Sequence, residues 1–258
     1  MRTRLCPLAA LGFIVGAAVS TAAAPPSSSG SSVRLGLRFD YLTQTVSWKD
    51  NGTRSTSPLD AATAAALLQF GIGGDSTASL FVGYSSSKLN GIMFRNLPFS
   101  VDYEAGAGGG VAVGGGLDIA LLGGQGLSVG ARTQFLACLG LSRTWSLPGL
   151  AVTGTASGKP IWMRALIGPV VAFGTNDKVR PYLFPFFQYV WGTFEMSESI
   201  QSLSGKESQD FRGKSFFGVA GGLELPLSPG AKLRAEAGVY PRSGGLDYSA
   251  TVGTMFSF

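Results

Sequence analysis

The chain contains no histidine. The side chains left to do chemistry near neutral pH are therefore carboxylates, guanidiniums, amines and hydroxyls. Their spacing carries information. Arg34, Arg38 and Asp40 share one parity of positions, as do Arg234 and Glu236. Asp118, Arg132, Arg164, Arg180 and Glu224 each interrupt a run of small or apolar residues. Even spacing places side chains on one face of a strand. Ten charges of both signs on strand faces that are otherwise Gly, Ala and Ser point to ion pairing in an enclosed space. Such a set forms a plugging network where it is dry and lines a pore where it is wet; the plug is the favoured reading.

Other chemistries find little support. Gly158, Gly205 and Gly213 each precede a lysine, but no glycine stands five residues upstream as a phosphate-binding loop requires. The glycine clusters of 104–118 hold no G-x-G-x-x-G. Metal sites would lack histidine, paired cysteines or a calcium loop. No cofactor is expected, and no catalytic residue is assigned.

The elements that must position these charges follow from composition and pattern. Of 258 residues, 45% are hydrophobic, only 14% are charged, and 38 are glycine. A soluble domain carries about 25% charge and about 7% Gly. Part of the apolar excess is N-terminal. Arg2 and Arg4 precede an apolar run from Leu8 to Val19 and then small residues, the pattern of a secretory signal peptide. The run is too short to span a bilayer as a helix. Residues 1–24 are assigned to that peptide, with cleavage after residue 22, 23 or 24, and 25–32 to a flexible lead. Removing Arg2 and Arg4 leaves a balance of +3, which is no nucleic-acid footprint. It also leaves Cys138 alone, so no intramolecular disulfide is expected.

From Val33 onward the sequence alternates. Val33, Leu35, Leu37, Phe39 and Tyr41 oppose Arg34, Gly36, Arg38 and Asp40. Leu80, Val82 and Tyr84 oppose Gly83 and Ser85, and Val111, Val113, Leu117 and Ile119 oppose Ala112, Gly114, Gly116 and Asp118. Similar segments recur to residue 257, and the spacing predicts ten strands. Eight is the alternative if the segment holding Pro181 and Pro185 fails to span. Connections near 73–77, 123–126, 175–178 and 227–230 are short; those near 49–60, 89–107, 142–159 and 195–212 are long. The last, 241–245, breaks that rule by being short.

A soluble sheet protein turns its charges outward. Here the non-apolar face is small and sparsely charged, while the other is bulky and ends in aromatic residues. That pairing predicts an all-β fold, a closed antiparallel transmembrane β-barrel over 33–258, with an apolar exterior and a narrow lumen.

The terminal segment carries a resemblance. Thr251, Gly253, Phe256 and Phe258 stand as polar residue, glycine two on, and aromatics three and five after it. This resembles the C-terminal signature of bacterial outer-membrane β-barrel proteins, of the small outer-membrane β-barrel domain type. The resemblance implies outer-membrane localisation and recognition of those four residues by the barrel-assembly machinery. Its implied partners are periplasmic chaperones, outer-membrane lipid and lipopolysaccharide. Barrel enzymes of that family, such as phospholipases, lipid deacylases and omptin-type proteases, use a histidine base, so a non-enzymatic role is expected. A Ser–Lys or carboxylate mechanism stays open. A structural or surface-interaction barrel is the first reading of function, and a narrow porin-like channel for small solutes the second.

Two loops and one network complete the expectations. Ile92, Met93, Phe94, Leu97 and Phe99 make the 88–105 loop unusually apolar. It either packs over the barrel mouth and lipopolysaccharide or forms a contact surface for an external partner. Residues 195–214 read as a solvated, mobile hairpin. The turn at 123–126 brings Asp118 and Arg132 within one diagonal step. Arg38, Arg132 and Arg234 are expected to share Asp40, Asp118 and Glu236 in one network.

Overall fold

The computed structural model describes residues 33–49, 56–89, 92–94, 101–103, 108–124, 126–146, 154–174, 178–228 and 230–257. Residues 1–32, assigned above to the signal peptide and flexible lead, lie outside the described residues, as do Leu97, Phe99 and Phe258.

Fourteen strands follow in chain order: β1 Val33–Trp48, β2 Thr56–Gly73, β3 Ser76–Leu89, β4 Ile92–Phe94, β5 Val101–Tyr103, β6 Gly108–Gly123 and β7 Leu127–Gly140. They continue as β8 Arg143–Ser146, β9 Gly154–Phe173, β10 Arg180–Ile200, β11 Leu203–Gly213, β12 Phe217–Ser228, β13 Ala231–Arg242 and β14 Gly245–Ser257. Twelve form one antiparallel sheet, and β4 and β5 pair separately. The count of ten strands is thereby corrected to twelve, and the alternative of eight falls with it.

The ladder returns on itself, and its girth changes along its length. At the end bearing Val33 and Ser257, hereafter the lower end, it passes through β1, β2, β3, β6, β7, β9, β10, β12, β13 and β14, and back to β1. At the upper end the β13–β14 hairpin has stopped at the pair Arg242↔Gly245. There β11 bridges directly from β10 to β1, through Val46↔Gly213, Ser47↔Arg212 and Trp48↔Phe211. Ten staves below thus become eight above. The segment from β11 to β12 is one descending run, interrupted at 214–216 where it changes neighbours. The short 241–245 connection breaks the alternation of loop lengths because it ends beneath β11. The twelfth strand, β8, pairs with β9 beyond the ring.

The segment with Pro181 and Pro185 does form a strand. Pro185 falls opposite Pro169 in the β9–β10 register, and the ladder skips the three pairs around them. Neither proline has an N–H to give, so the gap costs no donor. Within residues 195–214 the expected hairpin is present, as the upper parts of β10 and β11. The two strands form a ladder of ten pairs, from Trp191↔Arg212 to Ile200↔Leu203. Gln201 takes the left-handed φ of 53° in the turn between them.

The two faces of the ring differ as the alternation predicts, but only in the lower half. Leu37, Phe39, Leu80, Val82, Ile167, Phe187 and Val252 point outward and are 45–65% exposed in the bare chain, Phe187 being the most open. The inward face is not uniformly small. Above Asp40, β1 turns Leu42, Val46 and Trp48 into the lumen, all buried, and β10 does the same with Phe184, Phe186, Val190 and Phe194. The apolar core of this protein is the filling of its own ring.

Glycine is what makes room for it. A Cβ at Gly114 would strike the Phe81 ring, one at Gly192 the Phe211 ring, one at Gly218 the Phe186 and Tyr240 rings, and one at Gly222 the Tyr182 ring. Each large ring from one strand lies over a glycine of its neighbour. The small inward residues and the buried aromatics are thus one packing solution.

Candidate functional site

From bottom to top the lumen holds a vestibule, a charged layer, an arginine–aromatic layer and an apolar cap. The charged layer is built on β6, β7, β10, β12 and β13. Asp118 and Arg132 are direct cross-strand partners, closer in register than the expected diagonal. Arg132 donates Nε to Asp118 at 2.5 Å and Nη1 to Glu236 at 2.8 Å. Arg234 approaches the same two carboxylates at 3.5 and 3.4 Å. The Tyr182 hydroxyl donates to Glu236 at 2.7 Å and accepts from Arg234 Nε at 2.8 Å. Arg180 pairs with Glu224, its register partner, at 3.5 Å.

Arg38 and Asp40 stand apart from this group. Arg38 holds Asp40 with two hydrogen bonds of 2.7 Å, and Asp40 accepts a third from Thr251 at 2.7 Å. Among the described residues no ion pair links them to the Arg132–Arg234 cluster, so the expected single network is divided in two. Arg164 has a different partner set: Gln188 Oε1 at 3.1 Å and the Tyr240 hydroxyl.

Four of these guanidiniums also cover an aromatic face. Arg38 lies 5.0 Å from the Phe81 centroid, Arg132 4.8 Å from Phe184, Arg164 5.5 Å from Tyr240, and Arg234 4.9 Å from Tyr182. Planar cations stacked on rings and bound at their edges satisfy both the polar and the apolar walls of the lumen. Phe184 stacks on Phe186 at 4.8 Å, and Phe186 meets Tyr240 edge-on at 5.5 Å. At mid-height a void of about 10 Å³ lies between Arg38, Asp40, Trp162 and Arg164, at the lower limit for one water. Above it Trp48, Trp162, Phe194, Met196, Phe211, Leu59 and Leu89 close the lumen, all fully buried. Trp162 gives its indole N–H to Ser87 at 2.9 Å and Trp48 gives its own to Ser57.

The remaining sequence-stated residues are scattered by role. Thr251 and Gly253 face the lumen; Gly253 pairs in register with Arg38 on one side and Arg234 on the other. Phe256 points outward. Ile92, Met93 and Phe94 form strand β4 against Val101–Tyr103.

One centre escaped the sequence reading altogether. Asp247, 1% exposed, sits where β1 changes partner from β14 to β11. Its carboxylate accepts the Thr45 N–H and hydroxyl, each at 2.9 Å, the Ser215 hydroxyl at 3.1 Å and Arg242 Nε at 2.9 Å. The Ser215 carbonyl accepts from Gln44 and Gln188 at 3.3 and 3.4 Å. A ladder that switches neighbours orphans backbone groups at the switch, and Asp247 takes the donor that β1 exposes there. The available signal was a lone carboxylate at inward parity in a strand whose other inward residues, Met255 apart, are small.

A second correction concerns the serines, none of which was expected in a Gly-x-Ser-x-Gly setting. Gly126-Leu127-Ser128-Val129-Gly130 has the letters of a nucleophile elbow. That chemistry needs the serine on a strand-to-helix turn with a base beside it. Ser128 instead lies inside β7 and meets Arg180, so the letters carry no nucleophile.

No family model matches the chain, and no curated protein matches it. Solved structures do. The outer-membrane protease OmpT of Escherichia coli aligns at 12% identity, over 88% of this chain and 97% of that one, with a TM-score of 0.49. The attachment invasion locus protein Ail of Yersinia pestis aligns at 12% over 88% and 97%, with a TM-score of 0.33. The translocator domain of autotransporter NalP from Neisseria meningitidis aligns at 12% over 97% of both chains, with a TM-score of 0.35. At these identities and scores none of the three transfers a role to this protein.

Proposed function

We propose that this chain is an integral outer-membrane β-barrel with a sealed lumen, and that it acts as a non-enzymatic scaffold whose upper end meets the cell exterior. The observation that carries this reading is the pairing of an apolar exterior with a packed, polar-and-aromatic interior on a ring whose ladder returns on itself. In water such an exterior would be a large exposed apolar surface. In a bilayer it is the solvated surface, and ring closure satisfies every backbone group that hydrocarbon cannot. Tyr41, Tyr189, Trp191, Phe216 and Tyr248 cluster on the outside near the ten-to-eight step, where an interfacial aromatic girdle belongs. Outer-membrane lipid and lipopolysaccharide are then its surroundings. Thr251, Gly253, Phe256 and Phe258 serve as its signal to periplasmic chaperones and the assembly machinery. The β4–β5 hairpin and the β8–β11 rim are its outer contact surface. The absence of histidine and the ion pairing of Asp40, Asp118, Glu224, Glu236 and Asp247 support a role without catalysis.

Orientation gives the test. An epitope inserted at Ser202, in the β10–β11 turn, is expected to be labelled on intact cells, and one at Asp75, in the β2–β3 turn, only after the outer membrane is permeabilised. Reversed labelling would invert the assignment of ends. Equal labelling of both on intact cells would contradict the membrane barrel itself.

A further inference from the structure

The lower vestibule is an open cavity of about 220 Å³, and its charges do not balance. Five cationic side chains line it, Arg34, Arg132, Arg180, Lys232 and Arg234, against three acidic ones, Asp75, Asp118 and Glu224. Arg132 and Arg234 are engaged by Asp118 and Glu236, and Arg180 by Glu224. Arg34 and Lys232 have no ion pair within 4 Å among the described residues. Arg34 makes one hydrogen bond, to Gln69 at 3.3 Å, and its Nε is buried without a partner.

Both cations line this one cavity. Arg34 pairs in register with Ser257, and Lys232 with Met255. They occupy the strands on either side of β14, both at inward parity. Two ladder steps separate their backbones by roughly 10 Å and two residues of stagger by roughly 7 Å, a span that an anion with several oxygens and two long side chains can bridge together. Met255 lies on the floor between them. A guanidinium and an ammonium without carboxylate partners, on a concave low-dielectric wall that concentrates their field, form a receptor for an oxyanion.

We infer that the lower vestibule binds a small oxyanion, the carboxylate or phosphate group of a solute, between Arg34 and Lys232. The site lies below the charged layer, and nothing in it requires the lumen to conduct. Inorganic phosphate and citrate distinguish the two sources of that group. Titration calorimetry on the folded full-length protein in detergent is expected to show saturable binding of one of them. Binding of phosphate alone assigns a phosphorylated ligand, and binding of citrate alone a carboxylate. The double variant R34Q/K232Q should weaken that binding at least tenfold, and K49Q, at the upper end, should leave it unchanged. Met255→Glu gives a second route that removes neither cation: a carboxylate between them should abolish binding while the protein stays folded. No saturable binding of either anion overturns the inference, and so does binding that survives both R34Q/K232Q and Met255→Glu unaltered.

Discussion

Asp247→Ala is expected to lower unfolding stability by about 3–5 kcal/mol, the cost of removing one partner of a buried, hydrogen-bonded charge. Two hydroxyls, the Thr45 N–H and Arg242 all lose their acceptor at once. The backbone donor matters most. Thr45 lies between the last β1–β14 pair, Thr43↔Tyr248, and the first β1–β11 pair, Val46↔Gly213, so no neighbouring strand replaces the carboxylate. Asp247→Asn keeps one acceptor oxygen and should fall between wild type and alanine. Urea unfolding of the folded protein in lipid vesicles, followed by tryptophan fluorescence, measures both. Amide exchange should also accelerate at Thr45 and Lys214, whose N–H groups bridge the step, before it does in the β2–β3 ladder. An alanine variant within about 0.5 kcal/mol of wild type, the range of an ordinary surface substitution, would mean that the step is held by something else.

Glu236→Ala should be the next most damaging change, at about 2–3 kcal/mol. That is below the full cost of stranding a buried partner, because the Glu236 side chain is 21% exposed. It receives Arg132, Arg234 and Tyr182 together. Asp118 meets the same two arginines, yet its side chain is 36% exposed and lines the open vestibule. Asp118→Ala should therefore cost only about 1 kcal/mol, as partly solvated pairs do. The two carboxylates back each other up: with either gone, the other still neutralises Arg132. The double variant should accordingly cost more than the sum of the singles, and a double-mutant cycle reads that excess directly. Strict additivity would show that the four charges do not act as one cluster.

Strand periodicity was legible wherever one face was bulky and the other small. The segment from Val33 to Tyr41 reads outward and inward in the order the structure has them, and Asp118 and Arg132 pair as the 123–126 turn suggests. Legibility failed where both faces were apolar. In Tyr182–Phe187 the rings of Tyr182, Phe184 and Phe186 alternate with Leu183, Pro185 and Phe187, and hydropathy cannot say which set faces in. The clue was parity continued from a polar stretch: Leu42, Val46 and Trp48 stand on the Arg38–Asp40 face, so they had to enter the lumen. The strand count failed for a different reason. A hairpin that stops short, and a neighbour that steps across it, are long-range pairings between β11 and β1, some 165 residues apart. Local pattern has no access to them. The seam residues Asp247 and Ser215 depend on that same pairing, which is why a lone carboxylate near the C-terminus looked unremarkable.

The central claim is that the lumen is closed by its own side chains, with the Phe184–Phe186–Tyr240 layer and the tryptophan cap above the charged layer. Planar-bilayer recording of the purified protein tests it most directly. A lumen filled in this way should show no steady single-channel conductance in molar salt, on either polarity, from protein verified as folded. Regular openings of fixed size from that preparation would contradict it and make the lumen a pore.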